Sequence, residues 1–401
     1  MIDLDSYEIL KEKFGYDTFK YPQDYIIDRV LEGKDVIGVL PTGFGKSIIF
    51  QVLSLLLEGV SIVVSPLIAL MEDQLSTLKK KNIPAAILNS NLTYERQEQI
   101  YKNLIKNQYK LLYVSPERLE NMRFMKYIRS CTVSMVVVDE AHTILWAEGF
   151  REAFGRIHRF IDEVGARPRL LALTATATQI TLQKIISYLH LQHPLIIEAP
   201  MDRKNLFYRV IFEENKFAFI YPYLSKHRKE KGILYCLTRK EAEQVNNNLI
   251  QHGFLSTIYH GGLSPEIKNK NQQDFTNGSA TIMVCTNAFG MGIDIPNIRY
   301  VIEYSLPQSL EDLVQQMGRA SRDGSYGEGI VLFSFKDIKT IDYFIAQVED
   351  PLVKKQAIKK RDALIDYCLT KKCRHHFIGK YFNQKIDSCI KFCDNCFKQH
   401  R

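Results

Sequence analysis

The sequence predicts an α/β protein in which two parallel-sheet domains stand in tandem and a small helical subdomain closes the chain. Three observations carry this reading. Short apolar runs alternate with longer amphipathic stretches through the first half. The same alternation stops near residue 200 and starts again. From about residue 338 the strand-like runs end, and five of the eight cysteines crowd into residues 368–396.

In chain order, Val36–Leu40, Ser61–Ser65, Leu111–Val114, Met135–Val138 and Leu170–Leu173 read as buried strands. Each is rich in Leu or β-branched residues and ends in a polar or Pro/Gly loop. Ile48–Leu57 and Ile68–Lys80 read as helices between them. Strands that alternate with helices imply a parallel sheet covered on both faces, with ligands at the carboxyl ends of the strands. His193-Pro194 and Ala199-Pro200-Met201-Asp202-Arg203 read as a linker. Tyr208–Phe212, Gly232–Leu237, Thr257–Tyr259, Thr281–Cys285, Tyr300–Glu303 and Ile330–Phe333 form the second set of strands. The expected domains are therefore 1–204, 205–337 and 338–401.

The 401 residues are 46% hydrophobic and 24% charged, which excludes disorder, collagen and coiled coil as the main architecture. No run of about 18 apolar residues predicts a membrane span, so no membrane partner is expected. The polar start Met1-Ile2-Asp3-Leu4-Asp5-Ser6 does not read as a signal peptide. Without an export signal, disulfides are not expected, and the crowded cysteines read as a metal site. Residues 351–401 hold 13 Lys+Arg against four Asp, so they carry +9 of a net charge of +8. A basic tail suits nucleic acid, because Lys and Arg neutralise phosphates and release counterions; it is equally the composition of a solvated face.

The first strand runs into Pro41-Thr42-Gly43-Phe44-Gly45-Lys46-Ser47, and a helix follows. This is the context of a phosphate-binding loop. Gly43 and Gly45 let backbone N–H groups turn inward, and the helix N-terminus adds partial positive charge. Lys46 reaches the β- and γ-phosphates and the Ser47 hydroxyl holds Mg²⁺. Leu40 stands where the general pattern has its first Gly. Val137-Val138-Asp139-Glu140-Ala141-His142 ends an apolar strand in two carboxylates. Asp139 is placed to hold Mg²⁺ and Glu140 to orient and deprotonate water.

With these motifs the chain resembles superfamily 2 helicases, and more closely the RecQ family of DNA helicases. The resemblance extends through Phe14-Gly15-Tyr16, Gln23, Val63–Met71, Tyr113–Leu119, Asp139–His142, Leu173–Thr178, Tyr235–Lys240, Tyr259–Leu263, Ala288–Asp294 and Gly318–Gly324. It implies two RecA-like domains and a helical zinc-binding subdomain. It also implies ATP, Mg²⁺ and Zn²⁺ as cofactors, 3′-to-5′ movement on single-stranded DNA, and unwinding of branched or tailed duplexes in recombination or repair. Gln23 is implied to read the adenine edge, with Tyr16 and Lys20 beside the base and Asp294 on the ribose side. Arg319 and Arg322, three apart on one helical face, are implied to stabilise transition-state charge, with Gln315 positioning the water.

Strand contacts are implied for Ser65, Arg118 and Thr176 in the first domain and for Arg239, His260 and Thr286 in the second. Trp146, Phe150 and Arg151 are implied to form an aromatic loop that senses DNA. Glu148 and Gly149 depart from the family there, which leads to an expectation of weakened coupling. Cys373, Cys389, Cys393 and Cys396, separated by 15, three and two residues, are implied to bind Zn²⁺. Four thiolates suit its tetrahedral geometry, with Cys368 as the spare. Larger members continue into a winged helix, and the five residues after Cys396 lead to the expectation of a short member or a fragment. The expected location is the cytoplasm or nucleoid in a bacterium and the nucleus in a eukaryote, with protein partners at replication or repair sites. Two other readings stay open: a related motor acting on RNA, and a non-catalytic protein that holds or anneals strands.

Overall fold

The computed structural model describes residues 5–66, 68–89, 92–147, 153, 156–290 and 295–399. It divides into two compact units, Met1–Pro200 and Met201–Arg401.

The first unit is built on a seven-stranded parallel sheet. Its strands are β1 (Val36–Val39), β2 (Val60–Val64), β3 (Ala85–Leu88), β4 (Leu111–Val114), β5 (Val133–Val138), β6 (Arg169–Thr174) and β7 (Leu195–Glu198). They lie in the order β3-β4-β2-β5-β6-β1-β7. Alternate residues of each strand feed opposite faces, as the pleat requires. Ile37, Val39, Val136, Val138, Leu170 and Ala172 join one buried cluster, whereas Val36, Met135, Val137, Leu171 and Leu173 join the other. Both faces are therefore apolar, which explains why the strands read as continuous apolar runs. Two strands were not anticipated. Ala85–Leu88 is short, and Leu195–Glu198 falls inside the segment read as a linker. The latter is an edge strand paired only to β1 with one fully buried residue, Ile197, so its apolar signal is weak.

The second unit carries a six-stranded parallel sheet. Its strands are β8 (Leu206–Phe212), β9 (Lys231–Tyr235), β10 (Ser256–Tyr259), β11 (Ile282–Cys285), β12 (Ile298–Glu303) and β13 (Gly327–Phe333), in the order β10-β11-β9-β12-β13-β8. The helices Phe335–Ala346, Pro351–Leu369, Arg374–Tyr381 and Asp394–Gln399 follow. Leu364, Tyr367, Ile378, Phe382 and the cysteines share one core with β9, β11 and β13, so the cysteine-bearing segment is continuous with this domain. That segment also covers the open edge of β8. Tyr208 bridges to Cys393, the Tyr208 N–H donates to the Phe392 carbonyl at 3.4 Å, and the Val210 N–H donates to Asp394 Oδ2 at 3.0 Å. An uncovered edge would present unpaired backbone groups to other chains.

Candidate nucleotide and zinc sites

In the first unit the implied residues come together at the carboxyl edge of the sheet. The phosphate loop leaves β1 and the acidic pair leaves β5, with β6 between them. Gly43 and Gly45 adopt φ of +77° and +79°, a region that a side chain strains and that glycine takes freely. The helix Lys46–Leu56 starts directly after this turn, and Lys46 Nζ reaches Glu140 Oε1 at 3.0 Å across 94 positions of sequence. Both side chains are about 10% exposed. Glu140 itself takes φ +49°, a left-handed conformation costly for any residue with a Cβ and typical of functional turns.

Beside it, burial and the Glu140 carboxylate push the Asp139 carboxyl up to about 6, with Lys46 opposing. A buried acid held against ionisation suits a divalent cation, and Ser47 stands at the start of the helix facing the same loop. The residues fit Mg²⁺ held by Asp139 and Ser47. His142 lies 3.4 Å from Glu140 Oε2 and 3.0 Å from Thr174 Oγ1, and Thr174 donates in turn to the Thr176 carbonyl at 2.9 Å. Sequence reasoning passed over His142 and Thr174 as site residues, although both stand inside the quoted motifs. It also missed Gln74, whose amide donates to Ser47 Oγ at 2.6 Å while its oxygen accepts from Gln51 at 2.8 Å. Nothing in the sequence marks a glutamine in the middle of a helix.

Gln23 lies under the phosphate loop: Nε2 donates to the carbonyls of Phe44 and Gly45 at 2.8 and 3.1 Å, and Oε1 accepts from the Lys20 N–H at 2.8 Å. It pins the loop, while Tyr16 and Lys20 stand exposed. Thr42 is half-buried, and Phe44 packs against the core beneath the loop. One expectation changes. Arg319 and Arg322 do not share a helical face. The helix Leu310–Met317 ends at Gly318, and a turn with Ser321 at φ +54° carries both arginines. Arg319 is buried and donates to the Gly290 carbonyl, whereas Arg322 is half-buried and Gln315 lies on the helix before them.

The implied strand contacts all follow sheet strands. Ser65 and Thr176 are buried, and Ser65 Oγ has no partner among the described residues. Arg118 is half-buried and donates to Gln97 at 3.4 Å. In the second unit His260 and Thr286 are buried, while Arg239 is exposed and lies against Gly261 and Gly262, beside His260. The Trp146 side chain, Glu148, Gly149, Phe150, Arg151 and Asp294 lie outside the described residues.

The four tail cysteines converge as expected. Their sulfurs lie within 4.8 Å of one another, and they form the one metal-capable His/Cys/Asp/Glu group among the described residues. Thiolates about 2.3 Å from one zinc ion would stand about 3.8 Å apart, so the cluster fits Zn²⁺. The N–H groups of Cys389 and Cys396 donate to the sulfurs of Cys373 and Cys393 at 3.3 and 3.5 Å. Hydrogen bonds from the Cys389 and Cys393 thiols hold the Cys373 thiol well below the ordinary range. Cys368 is outside the cluster, and burial pushes its thiol up to about 12.

Comparison with known proteins agrees with this assembly. Family models match as DEAD/DEAH box helicase over residues 20–185, helicase conserved C-terminal domain over 215–324, and RecQ zinc-binding over 335–397. The chain is 38% identical over 97% of its length to an ATP-dependent DNA helicase RecQ of Bacillus subtilis, spanning 66% of that protein. It is 37% identical over 88% of its length to the RecQ of Synechocystis, spanning 77% of it. It is also 36% identical over 98% of its length to a putative ATP-dependent RNA helicase of Acanthamoeba polyphaga mimivirus, spanning 72%. The chain thus spans just under two thirds of the B. subtilis relative's length. In fold it is similar to the DEAD-box helicase Mss116 bound to ssRNA (TM-score 0.71, 16% identity, 96% of this chain and 91% of that one). Among the described residues no helix is long and apolar enough to cross a membrane.

Proposed function

The chain belongs to the RecQ helicase family, and from that premise we propose that it is an ATP-driven DNA motor that moves 3′-to-5′ on single strands and separates tailed or branched duplexes. The observation that carries the proposal is the Lys46–Glu140 ion pair at 3.0 Å. It joins the phosphate-binding cation to the acid placed to activate water. Arriving ATP offers Lys46 the γ-phosphate, and the pair breaks. Glu140 then orients a water and accepts its proton, with His142 3.4 Å from its second oxygen. Asp139 and Ser47 would hold Mg²⁺, which would supply positive charge to the bound phosphates. Arg319 and Arg322 are the residues proposed to stabilise transition-state charge, an effect worth about 10³–10⁵ in rate for such arginines. The Glu140–His142–Thr174–Thr176 chain gives a strand held at Thr176 a direct line to the base.

Zn²⁺ bound by Cys373, Cys389, Cys393 and Cys396 is structural, since four thiolates leave no open position. The test is ATP hydrolysis without nucleic acid, with single-stranded DNA and with RNA of equal length, followed by strand displacement on 3′- and 5′-tailed duplexes. Stimulation by DNA and displacement from the 3′ tail are expected. Stimulation by RNA in place of DNA would turn the assignment to an RNA motor, and strand binding with no stimulation would turn it to a strand-holding protein.

A further inference from the structure

Four residues within the stretch Met201–Asn205, at the start of the second unit, bind two structures that the sequence keeps far apart. Arg203 Nη1 donates to the Gly318 carbonyl at 3.1 Å, and Nη2 donates to the carbonyls of Ala320 and Ser321 at 2.8 and 3.1 Å. Asn205 Nδ2 donates to the carbonyls of Ser321 and Ser325 at 3.0 and 2.8 Å. These acceptors are the turn that carries Arg319 and Arg322. On the other side, Asp202 Oδ1 lies 2.9 Å from His375 Nδ1, and the Met201 N–H donates to Gln384 Oε1 at 2.9 Å. His375 Nε2 in turn lies 3.0 Å from the Phe392 carbonyl. His375 stands two positions after Cys373 and Phe392 one before Cys393, so this imidazole touches both cysteine-bearing segments.

The physics favours a brace. A helix ends with carbonyls that have no partner in the helix, and a cation there also meets the negative end of its dipole. Arg203 supplies a planar fork that three carbonyls share, which the single ammonium of lysine does not reproduce. Ser321 at φ +54° holds a conformation that persists only where its surroundings over-determine it. Its carbonyl receives both Arg203 and Asn205, and its N–H donates to the Ile298 carbonyl at 2.7 Å.

We infer that Met201–Asn205 is a positioning brace: Arg203 and Asn205 set the turn bearing Arg319 and Arg322, and Asp202, through His375, ties that setting to the cysteine site. The catalytic consequence rests on the proposed ATPase role of the two arginines; the structural consequence does not.

The experiment compares the zinc-loaded full chain with its Arg203→Lys, Asn205→Ala and Asp202→Ala variants by two readouts. Hydrogen exchange of the amides of residues 318–324 is expected to quicken severalfold in Arg203→Lys and Asn205→Ala, with one zinc per chain retained. In Asp202→Ala it quickens both there and across residues 373–377. ATP turnover in Arg203→Lys is expected to fall at least about tenfold in kcat with KM for ATP and DNA affinity within about twofold, because a displacement of about 1 Å is enough for about 100-fold. Unchanged exchange at 318–324 in all three variants would overturn the brace. Changed exchange at 318–324 in Arg203→Lys and Asn205→Ala but not in Asp202→Ala would overturn the link to the cysteine site. A parent chain without nucleic-acid-stimulated hydrolysis would count against the motor assignment, and exchange would still decide the brace.

Discussion

Replacing Asp394 by alanine removes one buried carboxylate on which the docking of the cysteine-bearing segment rests. Asp394 is 6% exposed and Arg374 is 2% exposed. The carboxylate receives Arg374 Nε at 2.5 Å and Nη2 at 3.0 Å, and the N–H groups of Val210 and Asn395 at 3.0 and 2.8 Å. Without it, a buried guanidinium keeps the Tyr367 carbonyl at 2.7 Å as an acceptor. Removing one partner of such a pair costs about 3–5 kcal/mol. The Val210 N–H, left on a covered sheet edge, adds about 1 kcal/mol. The sum of about 4–6 kcal/mol is a large share of the usual domain stability of about 5–15 kcal/mol. At about 2–4 °C per kcal/mol for a unit of this size, it corresponds to a fall in Tm of about 8–24 °C.

The assay is thermal release of zinc to a chromogenic chelator, which reports the second unit whatever the first is doing. An Arg374→Met/Asp394→Leu double variant is expected to recover most of the loss, since apolar residues can replace a buried pair. The exposed Lys336–Glu214 pair of the same unit supplies the control, and Lys336→Ala is expected to change stability by less than about 0.5 kcal/mol. A fall below about 3 °C in Asp394→Ala would refute the reasoning, because it would mean that the stranded guanidinium costs almost nothing.

Three further outcomes are expected. Glu140→Gln should lower ATP hydrolysis at least about 100-fold while a fluorescent ATP analogue still binds, because a general base contributes about 10²–10⁴. Cys373→Ser should lose zinc by metal analysis and lower the unfolding temperature of the second unit, whereas Cys368→Ser should keep one zinc per chain. The Arg299 guanidinium, with Nη1 3.0 Å from Asp323 Oδ1, holds the Asp323 carboxyl down at about 2. A depressed acid stabilises the fold above its unfolded value of about 4 and loses that contribution as pH falls toward 2. The stability difference between the parent and Asp323→Asn, measured by urea unfolding, should therefore shrink across that window.

Much of the site was legible because its residues sit where local rules act. Lys46 follows a glycine turn that ends a strand, and Asp139 and Glu140 end another; in a parallel sheet, strand ends are where ligands go. The cysteine spacing announced a metal because few other arrangements use four thiols so close together. One expectation failed. Arg319 and Arg322 at i and i+3 look like one face of a helix, but Gly318 stops the helix and Ser321 takes a left-handed turn. Arg203 and Asn205, which hold that turn, arrive from elsewhere in the chain, as do the carbonyls of Phe44 and Gly45 that meet the Gln23 amide.

By itself the sequence determined the two parallel sheets, the strand-loop-helix at Lys46, the acidic pair and the four cysteines, since periodicity, glycine and short spacings are properties of neighbouring residues. Only the tertiary structure decided that Lys46 meets Glu140 across 94 positions, that Gln74 reaches Ser47, that the cysteine segment seals the edge of β8, and that Arg203 holds a turn more than 100 residues away. Hydrogen bonds and ion pairs between distant residues are selected by where the folded chain brings polar atoms that have left water. That choice leaves no periodic trace in the order of the amino acids.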